Sequence, residues 1–237
     1  GYDYDDSPCN DNILDVCETG FVEINGLCFY EEDINIIQIM IDNSYQSEID
    51  LECQDGDVYC GSPNPFMDSS DNWGWMTFDG ISYAIPGNGN GIVEPLELGI
   101  QAWENGRLRS FMCGAYIYCH LSGEIPDNIS DLTEIEVLRL ELNHFNGIIP
   151  ESVCEFNNVN FDDNLSFDFS YNQLCPPYPH CVPDNSVEYM DISECFLNGD
   201  LNYDESVNIL DVIILVNHIL SPATVELDGA DINNDGD

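Results

Sequence analysis

A unit recurs at a fixed step of 24 residues within 121–154, LSGEIPDNISDLTEIEVLRLELNHFNGIIPESVC. The pairs are Leu121 and Phe145, Gly123 and Gly147, Ile125 and Ile149, and Pro126 and Pro150. A repeat of this length, with apolar residues spaced LxxLxLxxN, predicts stacked supersecondary units and not a closed globule. In the second copy Leu132, Ile135, Leu138, Leu140 and Phe145 are expected to point inward, and Asn143 to close the turn. An asparagine there can bond the backbone of adjacent units and so satisfy buried amides. One unit cannot bury its apolar face alone, so the flanking segments read as further units or caps. A third unit, built from Phe167, Phe169, Asn172 and Leu174, follows after five extra residues.

Charge narrows the partners. The chain has 46 Asp and Glu against 3 Lys and Arg, for a net charge of -43 over 237 residues. The three cations are Arg107, Arg109 and Arg139. Nucleic acid is therefore excluded as a partner, because phosphate binding needs cations. Multivalent cations are favoured, since they relieve the self-repulsion of so much like charge. No run of residues approaches the ~20 apolar residues of a membrane span.

Eleven Cys predict an oxidising compartment and a secreted, extracellular or cell-surface protein. The closest pairs are Cys17 with Cys28, Cys53 with Cys60, Cys113 with Cys119, and Cys175 with Cys181. Cys154 with Cys175 and Cys181 with Cys195 is the alternative at the end of the repeats. An odd total leaves one thiol free or bonded to another chain. Gly1 opens no signal peptide, so the chain reads as mature.

Residues 1–16 form an acidic, aromatic arm, either unstructured or ordered against a neighbouring subunit. A cap is expected over 17–107. It starts with a hairpin about Asn25-Gly26, stapled by Cys17 and Cys28. An amphipathic helix over 31–43 follows, carrying Ile34, Ile37, Met40 and Ile41, and it should close the open end of the repeats. Trp73 and Trp75 are able to stack on a sugar ring, which makes carbohydrate a candidate partner; the simpler reading packs them into the cap. PGNGNGIVEPLE aligns Asn88, Asn90 and Glu97 with a calcium loop, but Pro86 fills the first ligand place, making this the weaker metal candidate. A helix is predicted over 94–104, then a turn at Asn105-Gly106 and a strand into the repeats. The repeats and their closing cap occupy 108–181, with sequons at Asn128 and Asn164 as glycan acceptors. The exposed strand positions, and so the partner-binding candidates, are Tyr118, Arg139, Glu141, Asp168, Ser170 and Tyr171. A linker is expected over 182–198.

A second informative stretch lies in 199–237. DLNYDESVNILD places Asp200, Asn202, Asp204, Asn208 and Asp211 at positions 1, 3, 5, 9 and 12 of a calcium loop, with the Ser206 carbonyl at position 7. Hard oxygen ligands at that spacing, running into an apolar helix over 212–220, suit Ca²⁺. Glu205 stands where glycine is usual. Asp231, Asn233 and Asp235 begin the same loop again, and the sequence stops at Asp237 before its later ligands.

These motifs carry two resemblances. The LSGxIP corners are similar to plant-type leucine-rich repeats, and the order of hairpin, helix, GIVEPLELG, WENGRL and NQLCPPYPHC is similar to bacterial proteins of that kind. This implies a short α/β solenoid between a disulfide-braced α+β cap and an EF-hand-like module. The paired calcium loops resemble a dockerin type I module, implying two packed loop-helix units. Ile209 and Leu210 occupy places where cellulosomal dockerins often carry hydroxyl residues that meet cohesin, so calcium-dependent folding or assembly is the inference taken.

No enzyme constellation emerges: His120, His144, His180 and His218 are scattered, and carboxylate pairs are too common to single one out. The expected function is non-enzymatic, a calcium-binding protein acting in extracellular protein–protein interaction or adhesion. The alternative is a structural subunit of a calcium-stabilised fibril or surface layer, copies joining head to tail.

Overall fold

The computed structural model describes residues 17–72, 74–114, 117–193, 195, 199–201 and 207–220. The acidic arm expected over 1–16 lies outside them, as does Trp73.

The chain opens with a hairpin of β1 (Phe21–Ile24) and β2 (Leu27–Tyr30), turned by Asn25 and Gly26, both at positive φ. Helix α1 (Glu31–Gln46) follows without a break and buries Ile36, Ile37, Met40 and Ile41. The stripe is that of an amphipathic helix, with Ile34 at its half-buried margin. Its C-terminal turn lies against β7 (Ser122–Glu124): the Ser44 hydroxyl accepts from the Ser122 amide at 2.9 Å, and Asn43 Nδ2 donates to the Glu124 carbonyl at 2.8 Å.

Next come β3 (Trp75–Phe78) and β4 (Ile81–Ala84), an antiparallel pair. The helix expected over 94–104 is instead a 3-10 turn at Pro95–Glu97 followed by β5 (Ile100–Glu104). The reason is a period of two: Gln101 and Trp103 are buried and their neighbours are not, which a helix cannot arrange. Gly99 separates turn from strand at positive φ, and a Cβ there would sit 2.5 Å from the Met112 carbonyl oxygen. β5 turns at Asn105-Gly106 into β6 (Arg107–Met112).

From β6 the chain returns in parallel. β8 (Val137–Arg139) pairs with β6, β10 (Phe167–Asp168) pairs with β8, and β7 pairs with β9 (His144–Asn146). The larger sheet thus has the order β10-β8-β6-β5-β3-β4. Leu132, Ile135, Leu138, Leu140, Phe145, Phe167, Phe169 and Leu174 are buried in one cluster that also takes in Phe29, Trp103 and the α1 stripe.

Two asparagines hold the parallel segments. Asn143 Nδ2 donates to the carbonyls of Cys113 at 2.5 Å and Leu140 at 2.9 Å, and its Oδ1 accepts the Leu121 amide at 2.9 Å. Asn172 repeats the arrangement with Leu140, Phe169 and the Phe145 amide. Both are buried, and each binds backbone groups on the neighbouring segment.

Residues 182–191, expected as a linker, instead pack beside β10. The Phe169 amide donates to the Ser186 carbonyl at 2.9 Å and the Tyr171 amide to the Glu188 carbonyl at 3.0 Å. Val182 and Ser186 are buried. The segment lacks the leucine spacing, so its pairing rests on backbone groups that sequence does not display.

Five disulfides are formed among the described residues. Cys17–Cys28, Cys53–Cys60 and Cys113–Cys119 follow the nearest-neighbour expectation. Cys175–Cys181 is not formed, nor is the Cys154–Cys175 alternative: the pairs are Cys154–Cys181 and Cys175–Cys195. Cys175 is held in line with the preceding segment by its amide, which donates to the Gly147 carbonyl, while Cys181 lies beside the 3-10 turn Glu151–Glu155 that carries Cys154. Cys9 lies outside the described residues. Among the described residues no helix is long and apolar enough to cross a membrane.

Candidate functional site

The C-terminal loop enters α2 (Ile209–Leu220), three residues longer at its start than expected. Asn208 precedes it, and its Oδ1 accepts the Leu210 amide at 2.8 Å, an N-cap that satisfies one of the donors left open at a helix start. Asp211, in the first turn, accepts the Leu201 amide on Oδ1 at 2.8 Å and the Asn208 amide on Oδ2 at 2.7 Å. One carboxylate therefore ties the two ends of the loop together. Asp200 is 4% exposed and Asp211 2% exposed. Of the predicted calcium ligands the structure places these two carboxylates and Asn208; Asn202, Asp204, Ser206, Asp231, Asn233 and Asp235 lie outside the described residues.

Burying carboxylates is costly unless positive charge or hydrogen bonds compensate. The chain's three arginines are engaged elsewhere. Arg107 forks onto buried Asp33 through Nε at 2.8 Å and an Nη at 3.0 Å. Arg109 meets Glu134 at 2.6 Å and Glu104 at 3.3 Å, and Arg139 pairs with Glu141. None of the three arginines is paired with Asp200 or Asp211. The residues fit a hard divalent ion: two carboxylates and an amide oxygen, with no sulfur or imidazole among them.

The weaker candidate loop has a different construction. Asp68, which the sequence did not single out, accepts the amides of Gly89 at 2.8 Å, Asn90 at 3.2 Å and Gly91 at 2.6 Å. Glu97 accepts the Asn88 amide at 2.8 Å and the Glu94 amide at 3.0 Å. Asn88 and Asn90 Oδ1 accept the Asn90 and Ile92 amides, and their Nδ2 groups donate to Glu94. The loop is held by carboxylates on its own amides. Burial pushes the Glu97 carboxyl above the usual range, despite those amides.

The expected strand-face residues divide into two sets. Glu141 and Asp168, read as exposed, are buried. Arg139 and Glu141 lie two apart on one face, where they neutralise each other, and Gly114 leaves the space the Glu141 carboxyl occupies. Asp168 Oδ1 accepts the Ser170 amide at 2.9 Å and its hydroxyl at 2.7 Å, and Ser170 is buried with it. Tyr118 and Tyr171 do face solvent, at 50% and 46% exposure.

Around those tyrosines lies a grouping the sequence did not reveal. His120, Leu142, Tyr171 and Tyr189, one from each of four successive segments, all have left-handed backbone, with φ of 51°, 58°, 57° and 57°. Non-glycine residues pay about 1–3 kcal/mol each for such a conformation, so the surroundings fix it. Tyr171 and Tyr189 stack with centroids 4.7 Å apart, His120 and His144 meet edge-on at 5.8 Å, and Tyr118 lies 6.2 Å from His120. Burial holds both imidazoles below their ordinary pKa, and for His144 the neighbouring His120 adds to it.

Other expected sites are placed as follows. Trp75, read as packed into the cap, is 57% exposed, because Met76 and Phe78 take the inward positions of β3. Asn128 is exposed, with Nδ2 donating to Asp131 at 2.9 Å. Asn164 is half-buried, and both ends of its amide engage Asn185. Glu151, Cys154 and His180 cluster with metal-ligand spacing, but Cys154 is spent in its disulfide.

Residues 198–237 match the family Dockerin type I domain. No curated protein matches the chain.

Proposed function

We propose that this chain is a non-enzymatic, calcium-binding protein of the extracellular space whose C-terminal module joins it to another protein. Dockerin type I domains are calcium-binding protein-interaction modules. The observation that carries the reading is the pair of buried carboxylates, Asp200 and Asp211, brought together at the start of α2 within the residues that match the Dockerin type I domain. Asp200, Asn208 and Asp211 would hold the ion, with Asn202, Asp204 and the Ser206 carbonyl completing the loop; bound Ca²⁺ supplies charge neutralisation and fixes the loop against α2. Ile209, Leu210 and Val212 are exposed at the start of that helix and offer an apolar contact to a partner domain of the cohesin class. Residues 108–181, with parallel strands, buried leucines and an asparagine on successive segments, are best read as a short leucine-rich solenoid that presents its strand face. Five disulfides suit an oxidising compartment.

The test is titration of the full chain with Ca²⁺ by calorimetry, beside the Asp200→Ala and Asp211→Asn variants. Saturable binding that both variants lose is expected. Equal binding by all three proteins would remove the loop from the account.

A further inference from the structure

The ring-lined groove across the parallel segments is separate from the calcium loop, and its chemistry selects a different kind of ligand. We propose that the groove formed by Tyr118, His120, Leu142, His144, Tyr171 and Tyr189 binds a stretch of uncharged, extended polysaccharide. The groove measures about 420 Å³ and crosses four segments. Tyr189 is 69% exposed, the most open of the rings.

Three observations carry the assignment. The first is spacing. Adjacent parallel segments lie ~4.8 Å apart, and rings on adjacent segments lie 5.8 Å apart at His120 and His144 and 4.7 Å apart at Tyr171 and Tyr189. An extended chain of pyranose rings repeats at close to that interval, so successive sugars meet successive segments. A proline-rich peptide advances ~3.1 Å per residue with three residues per turn, presenting equivalent faces about 9 Å apart, and would meet only every second segment.

The second is charge. Asp191 is the one carboxylate lining the groove, and the two histidines are held toward their neutral form. A chain of net charge -43 repels acidic polymers, and a groove so poor in charge gives a basic one no reason to prefer it to the rest of the surface. An uncharged ligand is what remains.

The third is pre-organisation together with polar chemistry. The backbone of His120, Leu142, Tyr171 and Tyr189 is fixed in the left-handed region, and Leu142 and Tyr171 are tied to the next segments by their amides at 3.1 and 3.0 Å. Rings held this way lose little entropy on binding. The tyrosine hydroxyls, the imidazoles, Gln173 and Asp191 add donors and acceptors beside apolar ring surface, as a sugar's hydroxyls and C–H faces require.

The experiment uses calorimetry on the full chain with β-1,4-linked hexasaccharides of glucose, xylose and mannose. An oligogalacturonate and a proline dodecamer serve as controls. Binding of at least one neutral hexasaccharide is expected, at least tenfold weaker for the corresponding trisaccharide, which spans fewer segments. The Tyr171→Ala/Tyr189→Ala double variant should weaken it at least tenfold, Tyr171→Phe/Tyr189→Phe should keep most of it, and Trp75→Ala should leave it unchanged. Chelation of calcium should also leave it unchanged, so this result stands or falls apart from the calcium module. Binding of none of the three hexasaccharides, preference for either control, or loss of binding on changing Trp75 would overturn the proposal. If the alanine variant does not fold, the phenylalanine pair and the trisaccharide comparison still decide.

Discussion

Replacing Asn143 by Ala tests the bond system that holds the parallel segments. The side chain serves four backbone groups: the Cys113 and Leu140 carbonyls and, at a longer 3.3 Å, the Glu141 carbonyl accept from its Nδ2, and the Leu121 amide donates to its Oδ1. The Leu140 carbonyl keeps a second donor, Asn172 Nδ2 at 2.8 Å, and so is not orphaned. The Cys113 carbonyl and Leu121 amide lose that partner in a site from which water is excluded. At about 1–3 kcal/mol for each buried group left unmade, the loss spans roughly 2–6 kcal/mol, and about 3 kcal/mol is expected if water enters in part. Asn143→Asp should cost more than Ala. It keeps the acceptor for Leu121 but sets a carboxylate oxygen against three carbonyls, one of which had been 2.5 Å from the amide nitrogen. Urea denaturation in saturating calcium, followed by tryptophan fluorescence with buried Trp103 as reporter, gives the ranking. An alanine variant within 1 kcal/mol of the parent, or an aspartate variant more stable than alanine, would refute the reasoning. Because Leu142 adjoins Asn143, the same variant should also weaken saccharide binding.

Gly106→Ala and Gly26→Ala separate close approach from backbone conformation, since both glycines have positive φ. A Cβ at Gly106 would lie 2.4 Å from the Cys28 carbonyl oxygen, whereas none lies within 4 Å at Gly26. Denaturation should show about 1–2 kcal/mol lost at Gly26 and a clearly larger loss at Gly106; equal losses would deny the contact a role. His120 and His144 have folded pKa values below the unfolded 6.5, so the unfolded chain binds more protons. Their contribution to stability is full above pH 6.5 and lost as pH falls through the folded values, and His144→Gln should flatten that slope in denaturation measured across the range. Chelation should diminish the helical circular dichroism of α2 while the Trp103 signal holds. The twelve residues of α2 are too few to be stable as an isolated helix, and most of its apolar side chains are exposed. A Trp103 transition that moves with calcium would mean that the loop and the main core unfold as one.

What sequence revealed was what periodicity encodes. The inward positions Leu132 to Phe145 and the closing role of Asn143 could be read because apolar spacing and a conserved side-chain chemistry within the repeat depend on local order alone. The α1 stripe and the Asn-Gly turns were readable for the same reason. Four features were not. β5 was mistaken for helix because glutamates and leucines obscured the alternation of Gln101 and Trp103. The Cys154–Cys181 and Cys175–Cys195 links join residues brought together by segment stacking, which chain proximity does not report. Asp68 acts on Gly89, Asn90 and Gly91 from a distant part of the chain, with no motif to flag it. The groove depends on left-handed backbone at Leu142, Tyr171 and Tyr189, residues for which nothing in the sequence predicts that conformation.

The distribution of cations explains why the two parts of the chain should answer differently to metal. Arg107 and Arg109 are on β6 and Arg139 on β8, so every arginine falls on the larger, mixed sheet. There they meet the carboxylates that folding brings close: Asp33 in the first turn of α1, Glu134 beside β8, and Glu141 on the strand face. That region holds its buried carboxylates Asp33 and Glu141 against arginines of its own. Residues 199–237 contain no lysine or arginine, yet folding draws Asp200 and Asp211 out of water at the mouth of α2. Amides from Leu201 and Asn208 meet the Asp211 carboxylate, and the proposed divalent ion would meet the charge of the pair. On the proposed function the ion is a component of the C-terminal fold, so metal removal should divide the molecule along that line.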